Sequence, residues 1–245
     1  MREFTAALTV AATCVLVAAC GGGNKEAAST TQSPSASQAT SISAPTTTST
    51  PAAPVGEAVL DGLLLSPSEI DTTVGATGMA VAATSTSLAQ DIKLPPDAPA
   101  EKVACVGVAA AAEAQAYEGS GSTAVRDQLL QTPAGDGAPL SADQAVVLFP
   151  TAGEAATFLA DSAKRWPMCR EYNLGGSPVQ VGDVSNTDGM LATSTITQKD
   201  NQPNSRCERA LTVKNNVAID ITTREGSSGA AVKIANQIAA KIAGQ

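Results

Sequence analysis

The side chains able to do chemistry are few, and one type is missing altogether. No histidine occurs among the 245 residues. That removes the Ser-His-Asp and Cys-His nucleophile systems, the usual general base near neutral pH and the commonest transition-metal ligand. Five cysteines are present, at Cys14, Cys20, Cys105, Cys169 and Cys207. They have neither CxxC spacing nor a histidine to complete a zinc site, so no metal and no other cofactor is expected. What remains for them is acylation, disulfide formation or redox exchange. Among carboxylates, Asp183 with Asp188 and Glu154 with Asp161 are the candidates for a carboxylate-dependent hydrolase. Glu154 is better explained as a helix cap, and scattered acids most often decorate a soluble face. Gly119-Ser120-Gly121-Ser122 reads as a loop and lacks the Gly-x-Ser-x-Gly pattern of a nucleophile elbow. No catalytic residue is assigned, and the expectation is a protein that is not an enzyme.

Charge narrows the partners. The formal net charge is -8, and almost all of it lies beyond Glu57, so the bulk of the chain repels phosphate backbones. Lys164-Arg165 is the densest basic spot, and nucleic acid is excluded as a partner. Aromatic residues make up only 2% of the chain. The core must therefore be built from Ala, Val, Ile and Leu, and a covalent staple would help it.

The first residues carry a different chemistry. Residues 5–19 form an apolar stretch too short to span a bilayer comfortably as a helix, ending in Val17-Ala18-Ala19-Cys20-Gly21. This resembles the lipobox of bacterial lipoproteins, which implies diacylglycerol on the Cys20 thiol, cleavage before it and acylation of the new amine. Two or more acyl chains anchor stably where one does not. Cys14 then leaves with the signal peptide. Residues 21–56 are dominated by Ser, Thr, Ala, Gln and Pro with no hydrophobic period, a composition that cannot offset its ordering entropy. The expected organisation is a lipoprotein signal peptide at 1–19, lipidated Cys20 with a Ser/Thr/Pro-rich linker at 20–56, and a folded domain at 57–245. The location expected is the extracytoplasmic face of the cell membrane.

The elements of that domain follow from local signals. Ser66-Pro67-Ser68-Glu69 forms a capping box with Pro in the first turn, and Gly75 and Gly78 stop the helix. A strand is predicted over 79–89, a Pro-rich loop at 94–99, an Ala-rich helix over 104–117, and strands at 123–131 and 144–149. Thr151-Ala152-Gly153-Glu154 opens a helix to about Arg165; Ala155, Phe158 or Leu159, Ser162 and Trp166 fall on neighbouring turns, with Leu159, Ala163 and Trp166 as the better apolar stripe. Strands are placed at 179–184, 190–197, 210–214 and 217–222, the last two joined by an Asn215-Asn216 hairpin turn. Ile234, Ile238 and Ile242, four apart, mark the inner face of a terminal helix. Consecutive strands joined by short turns predict an α+β fold, an antiparallel β-sheet of about 6–7 strands with helices packed on one face.

Three cysteines fall in this domain, and export favours pairing. Cys105 lies at the start of one predicted helix and Cys169 follows another, so these two are expected to pair. Cys207 is then either a buried structural thiol or a free one open to redox or intermolecular chemistry. Of the aromatics, Tyr117, Tyr172 and Trp166 could line a cleft, although such residues beside a capped helix are more often core.

Several phrases, in order along the chain, resemble the extracellular sensor domain of the PknH-type serine/threonine kinases of actinobacteria and the stand-alone lipoproteins that share it. They are Leu63-Leu64-Leu65-Ser66-Pro67-Ser68-Glu69-Ile70 with Gly75-Ala76-Thr77-Gly78-Met79; Cys105-Val106-Gly107; Tyr117-Glu118-Gly119-Ser120-Gly121; Trp166-Pro167-Met168-Cys169; and Arg206-Cys207-Glu208-Arg209-Ala210-Leu211. The resemblance implies an α+β domain with a ligand cleft and two disulfides, one joining the positions of Cys105 and Cys169. The second would pair the Cys207 position with a cysteine between Cys169 and Cys207 that this chain lacks, which leaves Cys207 unpaired. The sequence carries neither a kinase catalytic domain nor a transmembrane helix. The function expected is therefore that of a non-catalytic cell-envelope lipoprotein, membrane-bound through Cys20, with a sensor-like domain for a small or apolar ligand. The alternatives are a protein partner of envelope sensor kinases and a carboxylate-dependent envelope hydrolase.

Overall fold

A computed structural model describes residues 53–133, 139–174, 176–198 and 204–244. Cys20, the signal segment and most of the linker lie outside the described residues. So does Cys14.

Helix α1 (Leu60–Leu63) follows a single 3₁₀ turn, and α2 spans Pro67–Val74. The expected capping box is formed in full: the Ser66 hydroxyl accepts from the Glu69 backbone N–H, and the Glu69 carboxylate accepts from the Ser66 N–H at 2.7 Å. Gly75 ends the helix with φ +75°, a left-handed conformation that glycine adopts without a Cβ penalty. Strand β1 (Ala80–Ser85) leads into a long strap, then α3 (Ala100–Ala109) and α4 (Ala114–Tyr117). Strands β2 (Ala124–Gln131) and β3 (Ser141–Leu148) precede α5 (Ala152–Arg165). There follow β4 (Glu171–Leu174), β5 (Ser177–Val181), β6 (Ser185–Thr187), β7 (Met190–Thr197), β8 (Ser205–Lys214), β9 (Val217–Arg224) and α6 (Ala230–Ala243).

The strands make one antiparallel sheet of nine, in the order β1-β2-β3-β9-β8-β7-β5-β4, with β6 paired to β7. The fold class is the expected α+β. The strand count exceeds the expected six to seven because β4 and β6 are short segments of four and three residues, below the length at which alternation can be read.

Helices cover both faces of the sheet rather than one. On the first face, α1, α2 and α6 pack on Leu130, Ala142, Val146, Ala210, Ile219 and Ile221, with Ile234, Ile238 and Ile242 of α6 all buried. On the second, α3, α4 and α5 pack on Val125, Ala145, Val147, Leu211 and Ala218. The cause is visible in β3 and β9, whose residues are buried at consecutive positions rather than alternate ones. A strand buried on both sides needs a layer on each.

The inner face of α5 also differs from the expected one. Ala155, Phe158 and Ser162 are buried, while Leu159 and Ala163 are half-buried. Phe158 is drawn in because its ring stacks on Tyr117 of α4, centroids 4.3 Å apart, and also meets Phe149. The hairpin turn falls where expected, with Asn215 at φ +55°. Asn216 is buried and does more than turn the chain. Its amide accepts from the Val55 N–H at 2.7 Å and donates to the Val55 and Phe149 carbonyls. Asn215 donates to the Ala53 carbonyl at 2.6 Å. The incoming chain is thereby clasped to the β8–β9 turn.

Candidate functional site

The second face of the sheet is a grid of cross-strand rows. Near the hairpin end, the row Val125, Val147, Ala218, Val213 is apolar and lies under the helices. The next row contains Asp127, Ala145, Asp220, Leu211 and Leu191. Further along it becomes Leu129, Asp143, Thr222, Arg209, Thr193, and then Gln131, Ser141, Arg224, Cys207, Thr195. The helix layer covers the apolar row and extends over Asp220 and Arg209, and leaves the outer polar positions uncovered. These positions are left as the floor of a cleft of about 380 Å³, lined among others by Leu129, Asp143, Tyr172, Thr195, Cys207 and Arg224.

The roof of the cleft is the end of α3 and the strap before it. Ala89 pairs in parallel with Glu113, exchanging hydrogen bonds with Ala112 and Ala114 at 2.9 and 2.8 Å. Glu113 is almost wholly buried, and its carboxylate accepts from the Ile92 and Asp91 N–H groups. Burial pushes its acidity weaker than usual, against the pull of those backbone bonds. Gln115 holds the Leu94 backbone from below.

Behind the floor lies a buried ion pair. Arg209 and Asp220 meet at 2.6 Å with side chains 1% and 4% exposed. Arg209 also donates to the Ile221 and Gly107 carbonyls and to the Thr222 hydroxyl, and lies over the Trp166 ring. Asp220 accepts from the Tyr117 hydroxyl and the Ala112 N–H. Ala112 has φ +50°, an unfavourable conformation for an L-residue that this hydrogen bond helps hold. It is here that the Ala-rich segment, expected as one helix over 104–117, breaks into α3 and α4. Cys105 and Cys169 are disulfide-bonded, Cα atoms 4.9 Å apart, and so tie α3 to the turn after α5. Four of the sequence phrases singled out above thus meet in one cluster: Cys105 and Gly107, Tyr117, Trp166 and Cys169, and Arg209. Gly107 lets α3 approach closely there: a Cβ would lie 3.1 Å from the Trp166 indole nitrogen, so the ring would have to give by a few tenths of an ångström.

Asp143 on the floor and Asp127 in the row behind it form an acid pair. Both bury their Oδ1 atoms where no N–H or hydroxyl donor reaches them. Burial, then the Asp127 charge and its hydrogen bond, push the Asp143 carboxyl up to about 9. Asp143 therefore carries a proton at neutral pH and donates it to Asp127, whose own acidity burial also weakens. The folded state holds this proton above the pH at which an unfolded aspartate releases it. Stability from the pair is thus complete below the ordinary aspartate range and is lost as pH rises toward about 9. Asp143→Asn should flatten that decline and make the domain more stable than wild type at about pH 8. Urea unfolding at a series of pH values checks this; an unchanged slope would refute it.

Of the residues singled out in the sequence, Tyr117 and Trp166 are core, and only Tyr172 reaches the cleft. Burial pushes the pKa of the Tyr172 hydroxyl up, opposed by a hydrogen bond with Thr195. Cys207 is a free, half-buried thiol on the floor, pushed up by burial and opposed by Arg224. Asp183 and Asp188 lie elsewhere on exposed turns, and Asp188 sits at φ +52° in the β6–β7 turn. Glu154 caps α5 and Asp161 pairs with Lys164 at 2.9 Å. Among the described residues no acid, cysteine and histidine grouping could hold a metal. The acids that do line or underlie the cleft, Asp91, Glu113, Asp127, Asp143 and Asp220, are not ones that the sequence singles out.

The model of the PknH-like extracellular domain matches residues 55–241. The chain belongs to that family. Two curated relatives are the serine/threonine-protein kinases PknH of Mycobacterium bovis and Mycobacterium tuberculosis. The first is 32% identical over 204 residues and the second 32% over 207. Each alignment covers 78% of this chain but only 31% and 30% of the respective kinase. The chain thus spans under a third of the length of the relatives it matches. The crystal structure of the extracellular domain of PknH from Mycobacterium tuberculosis superposes with a TM-score of 0.69 at 27% identity, covering 79% of this chain and 99% of that one. Both the family match and the structural match lie in the PknH-like extracellular domain.

Proposed function

We propose that the chain is a non-catalytic cell-envelope lipoprotein whose PknH-like domain binds a small polar ligand in the cleft beneath the strap. The observation that carries this reading is the half-covered sheet face. Its hairpin end is sealed by α3, α4 and α5 as far as Arg209, and its outer polar positions stay open under a roof latched by Glu113. Hydroxyls, an arginine and a protonated acid make poor packing for an apolar chain, because each would be buried without a partner. The ligand is therefore taken as polar. Native mass spectrometry of the domain purified from its own envelope should show retained mass, and Leu129→Trp, which fills the cleft from β2, should abolish it. Wild-type protein that carries no added mass would overturn the reading.

The tether belongs to the same proposal. Val17-Ala18-Ala19-Cys20 supports lipidation of Cys20 at the outer face of the membrane. Cys20→Ala should release the protein to the medium or leave it unprocessed, with membrane-bound protein falling by about tenfold or more in fractionation. Unchanged retention would count against the anchor.

The acid pair favours a second reading, an envelope hydrolase. Only Asp143 of the pair lines the cleft, so the floor offers one protonated acid rather than two carboxyls flanking a scissile bond. Hydrolysis of any envelope glycoside or ester that is lost in Asp143→Asn, with the fold retained, would favour it over passive binding.

A further inference from the structure

Beside Leu129 and Asp143, the floor of the cleft carries several side chains that can donate hydrogen bonds. Arg224 is half-buried in its outermost row, and no carboxylate pairs with it among the described residues. Its guanidinium leans on the Cys207 thiol. Ser141 and Cys207 are its cross-strand neighbours, and Thr222 lies two residues back on the same face of β9. The Thr222 hydroxyl already accepts from Arg209 at 3.0 Å, which leaves its own proton to give outward. The Glu113 carboxylate, by contrast, is occupied with strap N–H groups, and Asp91 is exposed to solvent.

We propose that this cleft takes a small carboxylate-bearing ligand, its anionic group anchored on Arg224 and flanked by Ser141 and Thr222. The proposal rests on the reading of the cleft as a ligand site and names the ligand's chemistry. A planar guanidinium fork matches a carboxylate in two parallel hydrogen bonds. A cationic amine would meet an unpaired arginine, and a neutral sugar would leave that arginine without a counter-charge. The retained proton favours the same choice. Asp143 is faced by Asp127 on β2, Arg209 on β8, Asp220 on β9, Asp91 on the strap and Glu113 on the roof. While protonated, Asp143 adds a donor to the floor; once ionised, it adds a negative charge beside the anchor. Carboxylate binding is therefore expected to weaken as pH rises past the titration of Asp143.

Cys207 supplies a reporter within the site. Its alkylation by iodoacetamide is to be followed in the full chain with succinate, succinamide, spermidine and glucose as probes. Succinate should slow alkylation at neutral pH, and succinamide should not. Arg224→Gln should weaken succinate protection by about tenfold or more, with Arg224→Lys in between. Asp143→Asn should keep succinate protection at alkaline pH, where the wild type loses it. Equal protection by succinamide, undiminished protection in Arg224→Gln, or protection by spermidine or glucose instead would overturn the carboxylate assignment while leaving the cleft a ligand site. No protection by any probe would overturn it too. Retained mass in the native spectra does not depend on ligand class, so it separates that failure from failure of the cleft reading.

Discussion

Replacing Asp220 by alanine should cost about 3–5 kcal/mol of folding free energy, the usual penalty for stranding one member of a buried ion pair. Arg209 would keep its charge at 1% side-chain exposure, with carbonyls and a hydroxyl as its remaining hydrogen-bond partners. The Ala112 N–H and the Tyr117 hydroxyl would lose their acceptor at the same time. For a domain of this size that corresponds to a fall in Tm of roughly 10 °C. Replacing Arg209 and Asp220 together with alanine should cost less than Arg209→Ala and Asp220→Ala summed, because no orphan charge remains. Thermal unfolding of the four proteins closes the cycle. Additive single and double effects would show that the two side chains do not act as a pair.

Cys105→Ser should be the other severe change. The disulfide joins positions 64 residues apart, and closing a loop of that length stabilises a chain by about 4 kcal/mol in the chain-entropy view. Loss of the bridge frees α3 from the turn after α5, and the α3–α4 layer rests on that attachment. A fall in Tm of roughly 10 °C is expected, together with one additional titratable thiol, that of Cys169. A thiol count that stays the same would contradict the pairing.

How legible these features are in the sequence depends on how local their causes are. The Ser66 capping box, the Asn215-Asn216 turn and the isoleucine stripe of α6 are set within a few residues, and each is found where expected. The break between α3 and α4 is not legible, because four alanines in a row at 109–112 favour helix. What bends them is an acceptor on β9, 108 residues further on. The buried face of α5 is hidden for the same reason, since Tyr117 decides that Phe158 turns inward.

The cleft acids did leave a trace. Aspartate is rare inside strands, yet Asp127, Asp143 and Asp220 stand mid-strand in β2, β3 and β9. Each anomaly is weak alone. Only the register, which places the three on one face of adjoining strands, turns them into a site. Cys207 shows the converse. Its chemistry was evident from the sequence, and its position on a cleft floor was not.

The clasp of Asn215 and Asn216 on residues 53–55 has a mechanical corollary. The chain enters at one pole of the sheet, whereas Thr222 and Arg224 lie toward the opposite end of β9, roughly 20 Å away at strand rise. Tension arriving along the leading segment is borne by a hairpin and spread across the central strands before it reaches the recess. The entry point of the described chain and the cleft thus lie at separate ends of the sheet, so the mouth is clear of the incoming residues.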